Sequence, residues 1–234
     1  LRAMMEKIAG HSPYQSPTDM GVNMAGNCIF DDEAVSDASR REIVRRYYQA
    51  MCDLRTGRGE ESAVAKIELL MNKAEITVDI NPTVAASLRK AEETGMPAVA
   101  IELPDGQVIT GKTSSLLGAS SAALLNALKV LAGLDDSLHL IAPEVIEPIQ
   151  HLKVSHLGNH NPRLHPDETL IALSISAVTD PNAERAMEHL AELSGCDAHS
   201  TVILSQVDTD VFRKLGVNMS CEPRYQTKKL YHKR

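Results

Sequence analysis

Four of the nine histidines, His151, His156, His160 and His165, fall within 15 residues, in a stretch that runs on through Pro166 and Asp167 to Glu168. Between them stand Gly158, Asn159, Asn161 and Pro162, residues that favour turns over regular structure. Imidazole titrates near neutrality, so a histidine held in such a loop can take up and return a proton. Three chemistries fit. His156, His160 and His165, with Asp167 or Glu168, could ligate zinc or another divalent metal, which imidazole and carboxylate suit. The spacings of four and five residues, interrupted by proline, do not match a helical HxxxH pair. Alternatively, His160 and Arg163 could hold a phosphate or carboxylate while Asn159 and Asn161 orient it. The plainest reading is a hydrogen-bonded crossover loop whose histidines satisfy backbone groups.

Gly106-Gln-Val-Ile-Thr-Gly-Lys-Thr113 fits the phosphate-binding P-loop pattern letter for letter. That pattern works through glycine-rich amides that wrap phosphates, with the lysine neutralising them. Here Val108 and Ile109 sit at its centre, and β-branched residues prefer a strand to a phosphate cradle. Residues 106–113 are therefore expected to be a hairpin strand. Lys112 and Thr113, ahead of a helix starting near Gly118-Ala-Ser120, could still meet an anion; an ordinary Ser-capped helix is the simpler expectation. Cys196-Asp-Ala-His199 could join a metal site or pair a nucleophile with a base, although a buried thiol beside a surface histidine is simpler. Arg40, Arg41, Arg45 and Arg46 read as a solvated helix face pairing with Glu33, Asp37 and Glu42.

The elements that must position these groups follow from periodicity and breakers. Leu1–Ile8 predicts a helix stopped by Gly10, followed by a long ordered loop at 11–32. Ile43, Val44, Tyr47, Tyr48, Met51 and Leu54 recur at helical spacing, and Val64 to Ala74 marks a second helix. Residues 1–75 thus read as a mainly helical subdomain. Residues 76–225 alternate. Strands are expected at 76–80, 98–103, 107–110, 138–141, 145–149, 170–178 and 200–204, and helices at 82–94, 120–131, 183–193 and 208–215. Pro104-Asp105-Gly106 should turn the 98–110 hairpin. The fold class is α/β (α+β mixed): a helical subdomain, then one or two layered α/β subdomains with a mixed sheet. Residues 226–234 form a basic tail.

The totals narrow the options. A 43% apolar content can build a core, and with no Trp and only two Phe it must be aliphatic. A net charge of −7 argues against a protein that coats nucleic acid. Cys28, Cys52, Cys196 and Cys221 are widely spaced, which predicts reduced thiols in a cytoplasmic protein and no disulfide framework. No apolar run approaches the roughly 20 residues that cross a bilayer. The opening residues lack an initiator Met and read as the middle of a helix, so a longer protein is expected.

Ser12-Pro-Tyr-Gln-Ser-Pro-Thr-Asp-Met-Gly-Val-Asn23, Arg45-Arg-Tyr-Tyr-Gln-Ala50, Thr110-Gly-Lys-Thr-Ser-Ser115, His156–His165 and Cys221-Glu-Pro-Arg-Tyr-Gln226 together resemble the bacterial family domain of unknown function 1846. The resemblance covers essentially the whole chain. It implies the C-terminal half of a protein about twice as long, whose N-terminal half carries its own glycine-rich segment and would bind any nucleotide. It also implies a helical subdomain followed by α/β subdomains, one similar in topology to cytidine deaminases. The deaminase zinc signature is absent, and no HExxH, GxSxG or triad marks a protease.

The expectation is therefore an enzyme half-site for a phosphorylated or carboxylated small molecule. The loop carrying Ser16, Thr18, Asp19 and Asn23 would converge with Lys112, Thr113, Asn159 and Arg163. His156 or His160 would serve as acid/base, oriented by Asp19. A metal-dependent hydrolase using His156, His160 and His165 is the first alternative. The second is an assembly domain in which helix 120–132 and the Tyr47/Tyr48 helix form a homo-oligomer interface.

Overall fold

A computed structural model describes residues 2–11 and 31–226. Helix α1 (Arg2–Ala9) ends where Gly10 adopts a left-handed backbone. Asp31 starts α2 (Asp32–Arg55) by accepting a 2.8 Å bond from the Ala34 amide, as an N-cap should. Helix α3 (Glu61–Lys73) folds back on α2. Helix α4 (Pro82–Thr94) has Asn81 as its cap, proline at its first position and left-handed Gly95 at its end. Val44 and Tyr48 of α2, Met71 at the end of α3, Ile76 in the connection that follows it, and Val84 of α4 form one apolar cluster.

Strands β1 (Ala98–Glu102) and β2 (Val108–Lys112) pair antiparallel, with Ala98 opposite Lys112 and Glu102 opposite Val108. Strands β3 (Asp197–Ser200) and β4 (Asn218–Cys221) complete a mixed sheet of order β2-β1-β3-β4. β3 runs antiparallel to β1 and parallel to β4. Side chains alternate across a sheet, so Asp197 and His199 face α2 while Ala198 faces the opposite layer. That layer contains α5 (Ala119–Leu131), α6 (Pro143–His151), α7 (Pro166–Ser176), α8 (Pro181–Glu188) and α9 (Gln206–Lys214). Its core joins Val99, Ile101, Leu124, Leu128, Leu164, Leu173 and Phe212.

The mixed α/β class holds, with nine α-helices and four strands among the described residues. Several strand expectations are corrected. Residues 76–80 make a single 3₁₀ turn at Val78–Ile80. Residues 138–141 are irregular, and 145–149 lie in α6, where Pro143 begins a helix and Ile146 is buried. The apolar run 170–178 is mostly helix α7, because Pro166 starts it and Glu168 caps it. β3 overlaps the expected 200–204 strand at Ser200, and β4 was not anticipated. The apolar stripes once available for an oligomer are occupied internally: Ala123, Leu124, Ala127 and Leu128 of α5 are fully buried, and Tyr48 packs in the α2–α4 cluster. Among the described residues no helix is long and apolar enough to cross a membrane.

The Gly106–Thr113 segment is the hairpin strand, not a phosphate cradle. Gly106 has φ +84 in the turn, and Gly111 sits in β2 against α5. A Cβ at Gly111 would lie 2.1 Å from the Ala123 amide nitrogen, so glycine is required for strand–helix contact. Gly111→Ala is expected to lower stability by about 1–3 kcal/mol or more through overpacking, seen as a lower urea midpoint. An unchanged midpoint with weakened anion binding would restore the phosphate-loop reading.

Candidate functional site

Two loops distant in sequence pair with each other. Residues 114–118, between β2 and α5, run beside residues 163–165, ahead of α7, through a parallel bridge between Leu117 and Leu164. The Leu164 amide donates to the Leu116 carbonyl at 3.0 Å, and the Gly118 amide donates to the Leu164 carbonyl at 3.2 Å. Ser121 Oγ adds a 2.9 Å bond to that carbonyl, and Arg163 Nε reaches the Ser114 carbonyl at 2.6 Å. Leu164 itself is buried in the core. Arg163, at a bend in the chain, and His165, in extended backbone, flank the buried Leu164 in sequence.

His165 precedes α7 with extended φ −79 and ψ 164. Its Nδ1 lies 2.7 Å from Asp208 Oδ1, while Ser120 Oγ donates to Asp208 Oδ2 at 3.0 Å. Asp208 is held in turn because its own amide donates to Ser205, the cap of α9. A carboxylate accepts and does not donate, so Nδ1 carries the proton and the neutral ring presents Nε2 as a base. The hydrogen bond to Asp208 holds the His165 imidazolium above its ordinary pKa; burial and the Lys153 charge oppose the rise without cancelling it. The side chain is about one-third exposed.

Below this pair lies a buried lysine. The chain after α6 widens into a π-helical turn at Leu152–His156, and it turns Lys153 inward. Lys153 Nζ donates to Glu168 Oε2 and to the Arg163 carbonyl, each at 2.6 Å. Glu168 Oε2 also accepts the His165 amide at 2.9 Å. One ammonium group thus ties the backbone of Arg163 to the first turn of α7.

The sequence-derived candidates divide accordingly. Arg163 and His165 flank the bridge, and Thr113, buried, leads into it with its amide bonded to the Pro97 carbonyl. Lys112 is exposed at the end of β2. His156, Asn159 and His160 are exposed as well, with His156 stacked edge-on to His151 at 5.4 Å. Among the described residues no three His, Cys, Asp or Glu side chains gather as a metal site. The expected His156, His160 and His165 ligand set is therefore not assembled, because His165 turns to Asp208. Ser16, Thr18, Asp19 and Asn23 lie outside the described residues. Ser120 does not cap α5; Gly118 occupies that position and the Ser120 hydroxyl serves Asp208. Asp208 and Lys153 were missed, and the one available signal was an acidic residue three after a Ser cap.

A second polar region sits between α2 and the carboxyl ends of β3 and β4. There a cleft of about 850 Å³ is lined by Tyr48, Cys52, Ser205, Cys221 and Tyr225 among others. Behind it the fully buried His199 contacts Ser220 Oγ through Nδ1 at 2.8 Å and faces Glu222 through Nε2 at 3.4 Å. The His199 contact holds the Glu222 carboxyl below its usual range. Burial pushes the Cys52 thiol up to about 12 and Cys221 up to about 11, which leaves both as poor nucleophiles. His199 is thus a core residue, not the surface histidine expected. Arg41 and Arg45 pair with Asp37 and Glu42 on their own helix but also reach Glu102 and Asp197 on the sheet.

Fold and site define a mixed-sheet α/β protein whose histidine–aspartate pair is framed by two paired loops. The chain belongs to the family of the domain of unknown function DUF1846: the model of its C-terminal domain matches residues 79–231, and that of its N-terminal domain matches residues 1–75. UPF0371 proteins of Streptococcus thermophilus and Corynebacterium efficiens are each 55% identical to it, over 233 and 234 residues. A UPF0371 protein of Streptococcus pyogenes is 54% identical over 233 residues. Each alignment covers 100% of this chain and 47% of the relative, so the chain spans about half the length of these proteins.

The raised pKa of His165 has a pH signature. A group whose folded pKa is raised contributes stability fully below its unfolded value, about 6.5, and loses it as pH rises through the folded value. Asp208→Asn should therefore lower stability by about 1.5–3 kcal/mol near pH 5.5, as for a charged hydrogen bond. The gap between parent and variant should narrow toward pH 9. Urea unfolding at several pH values reads it, and a gap that stays constant or widens with pH would contradict the assignment.

Proposed function

We propose that the paired loops form part of an enzyme site acting by proton transfer on a small molecule that carries a phosphate or carboxylate. The observation that carries this reading is the His165–Asp208 pair, with Arg163 two residues away beside the loop bridge. Arg163 bonds the Ser114 carbonyl through Nε, and its two terminal nitrogens make no hydrogen bond among the described residues. A guanidinium anchored through Nε presents its remaining donors as a fork, the geometry that matches two oxygens of an anion. His165 Nε2 would accept a proton from the bound molecule while Nδ1–H stays bonded to Asp208. The imidazolium so formed returns the proton to the product, and Asp208 stabilises the charged ring without itself taking the proton. Asp208 is a positioning residue in this scheme. The remaining contacts to the substrate, including any nucleotide, are assigned to residues of the full-length protein beyond this chain.

The test uses the full-length protein with inorganic phosphate, a nucleoside monophosphate and succinate as probes in calorimetric titrations. At least one should bind, and Arg163→Met should weaken it at least tenfold, about 1.4 kcal/mol. His160→Ala, altering an exposed side chain, should leave binding unchanged. No binding by the parent, or equal binding by Arg163→Met, would overturn the reading.

A further inference from the structure

Helix α7 carries apolar side chains on its outer as well as its inner side, and an apolar helix face in a globular protein is normally a covered one. Its inner side is accounted for: Ala172 and Leu173 are fully buried in the main core. Its outer side is not. Ile171 is 59% exposed, Ile175 55%, and Val178, just past the helix end, 82%. Spacings of four and three residues place them in one stripe. Beside the stripe runs a groove of about 430 Å³ whose wall includes Leu140, Val145, Ile175 and Val178, with Asp180 also lining it.

We infer that this stripe and groove dock the half of the full-length chain that lies outside residues 1–234. Two observations select that occupant. Relatives 55% identical to this chain are about twice its length, and in a protein of that length a comparable mass of polypeptide is tethered beside the stripe. The stripe is also too small for free association. Stable complexes bury about 1,200–2,000 Å² in total, whereas three aliphatic side chains and a shallow groove supply a fraction of that. A tethered segment needs less, because its effective concentration reaches the order of millimolar. The docked half would lie on the helix that His165 introduces, roughly 9–15 Å along the axis at 1.5 Å per residue. From there it can supply the substrate contacts that the Arg163–His165 segment lacks. The docking itself stands whether or not that segment is catalytic.

Thiol labelling of the full-length protein tests it, with Ile175→Cys and Val178→Cys compared against Lys214→Cys on the exposed side of α9. The new thiol of Ile175→Cys should react at least tenfold more slowly than that of Lys214→Cys, and Val178→Cys should behave like Ile175→Cys. The protection should persist on dilution to a monomer, because the covering segment is in the same chain. Labelling of both as fast as Lys214→Cys would overturn the proposal. Protection that disappears on dilution would also overturn it, assigning the stripe to a second copy.

Discussion

The structure depends on the pairing of residues 114–118 with residues 163–165. Both segments are irregular, and a buried irregular backbone must find partners for its amides and carbonyls. They find them in each other: Leu164 exchanges bonds with Leu116 and Gly118, and Ser121 adds a third contact to the Leu164 carbonyl. Burial of Leu164 supplies the apolar drive. This short pairing fixes where α5 and α7 begin, since Gly118 caps the first and His165 the second. It also delivers Ser120 and His165 to opposite oxygens of Asp208, which belongs to a third helix.

Lys153 makes the arrangement specific. An ammonium group removed from water is unfavourable by several kcal/mol unless its protons are satisfied. Glu168 and the Arg163 carbonyl satisfy two of them, and both partners belong to the segment that must be positioned. A slipped pairing would strand the charge. The π-helical turn at 152–156 aims the lysine inward, and such local widenings recur where a helix is adapted to a site.

Much of this order is legible in the residues. The 82–94 helix is bounded by Asn81, Pro82 and Gly95, each with its own local preference, and the structure uses all three. The hairpin is equally local, set by Pro104-Asp105-Gly106. Helix α7 is read wrongly as a strand because its apolar residues face both ways, toward the core and outward, which erases the helical period. β4 (Asn218–Cys221) alternates polar and apolar residues over only four positions, too short a run to mark a strand, and it pairs only along β3 at the sheet edge. The histidine loop announces itself by composition. Its chemistry does not, because what distinguishes His165 from His156 and His160 is an aspartate 43 residues away. The Lys153–Glu168 pair is likewise a tertiary contact, 15 residues apart across a turn-rich loop.

The central claim is that Asp208 fixes the tautomer and charge of His165. Imidazole ¹⁵N–¹H correlation spectra of the full-length protein, recorded across a pH titration, read both directly. The account predicts that neutral His165 carries its proton on Nδ1 and that its titration midpoint lies above the ordinary histidine value, falling back in Asp208→Asn. A proton on Nε2, or a midpoint at or below the ordinary value that Asp208→Asn leaves unmoved, would contradict it.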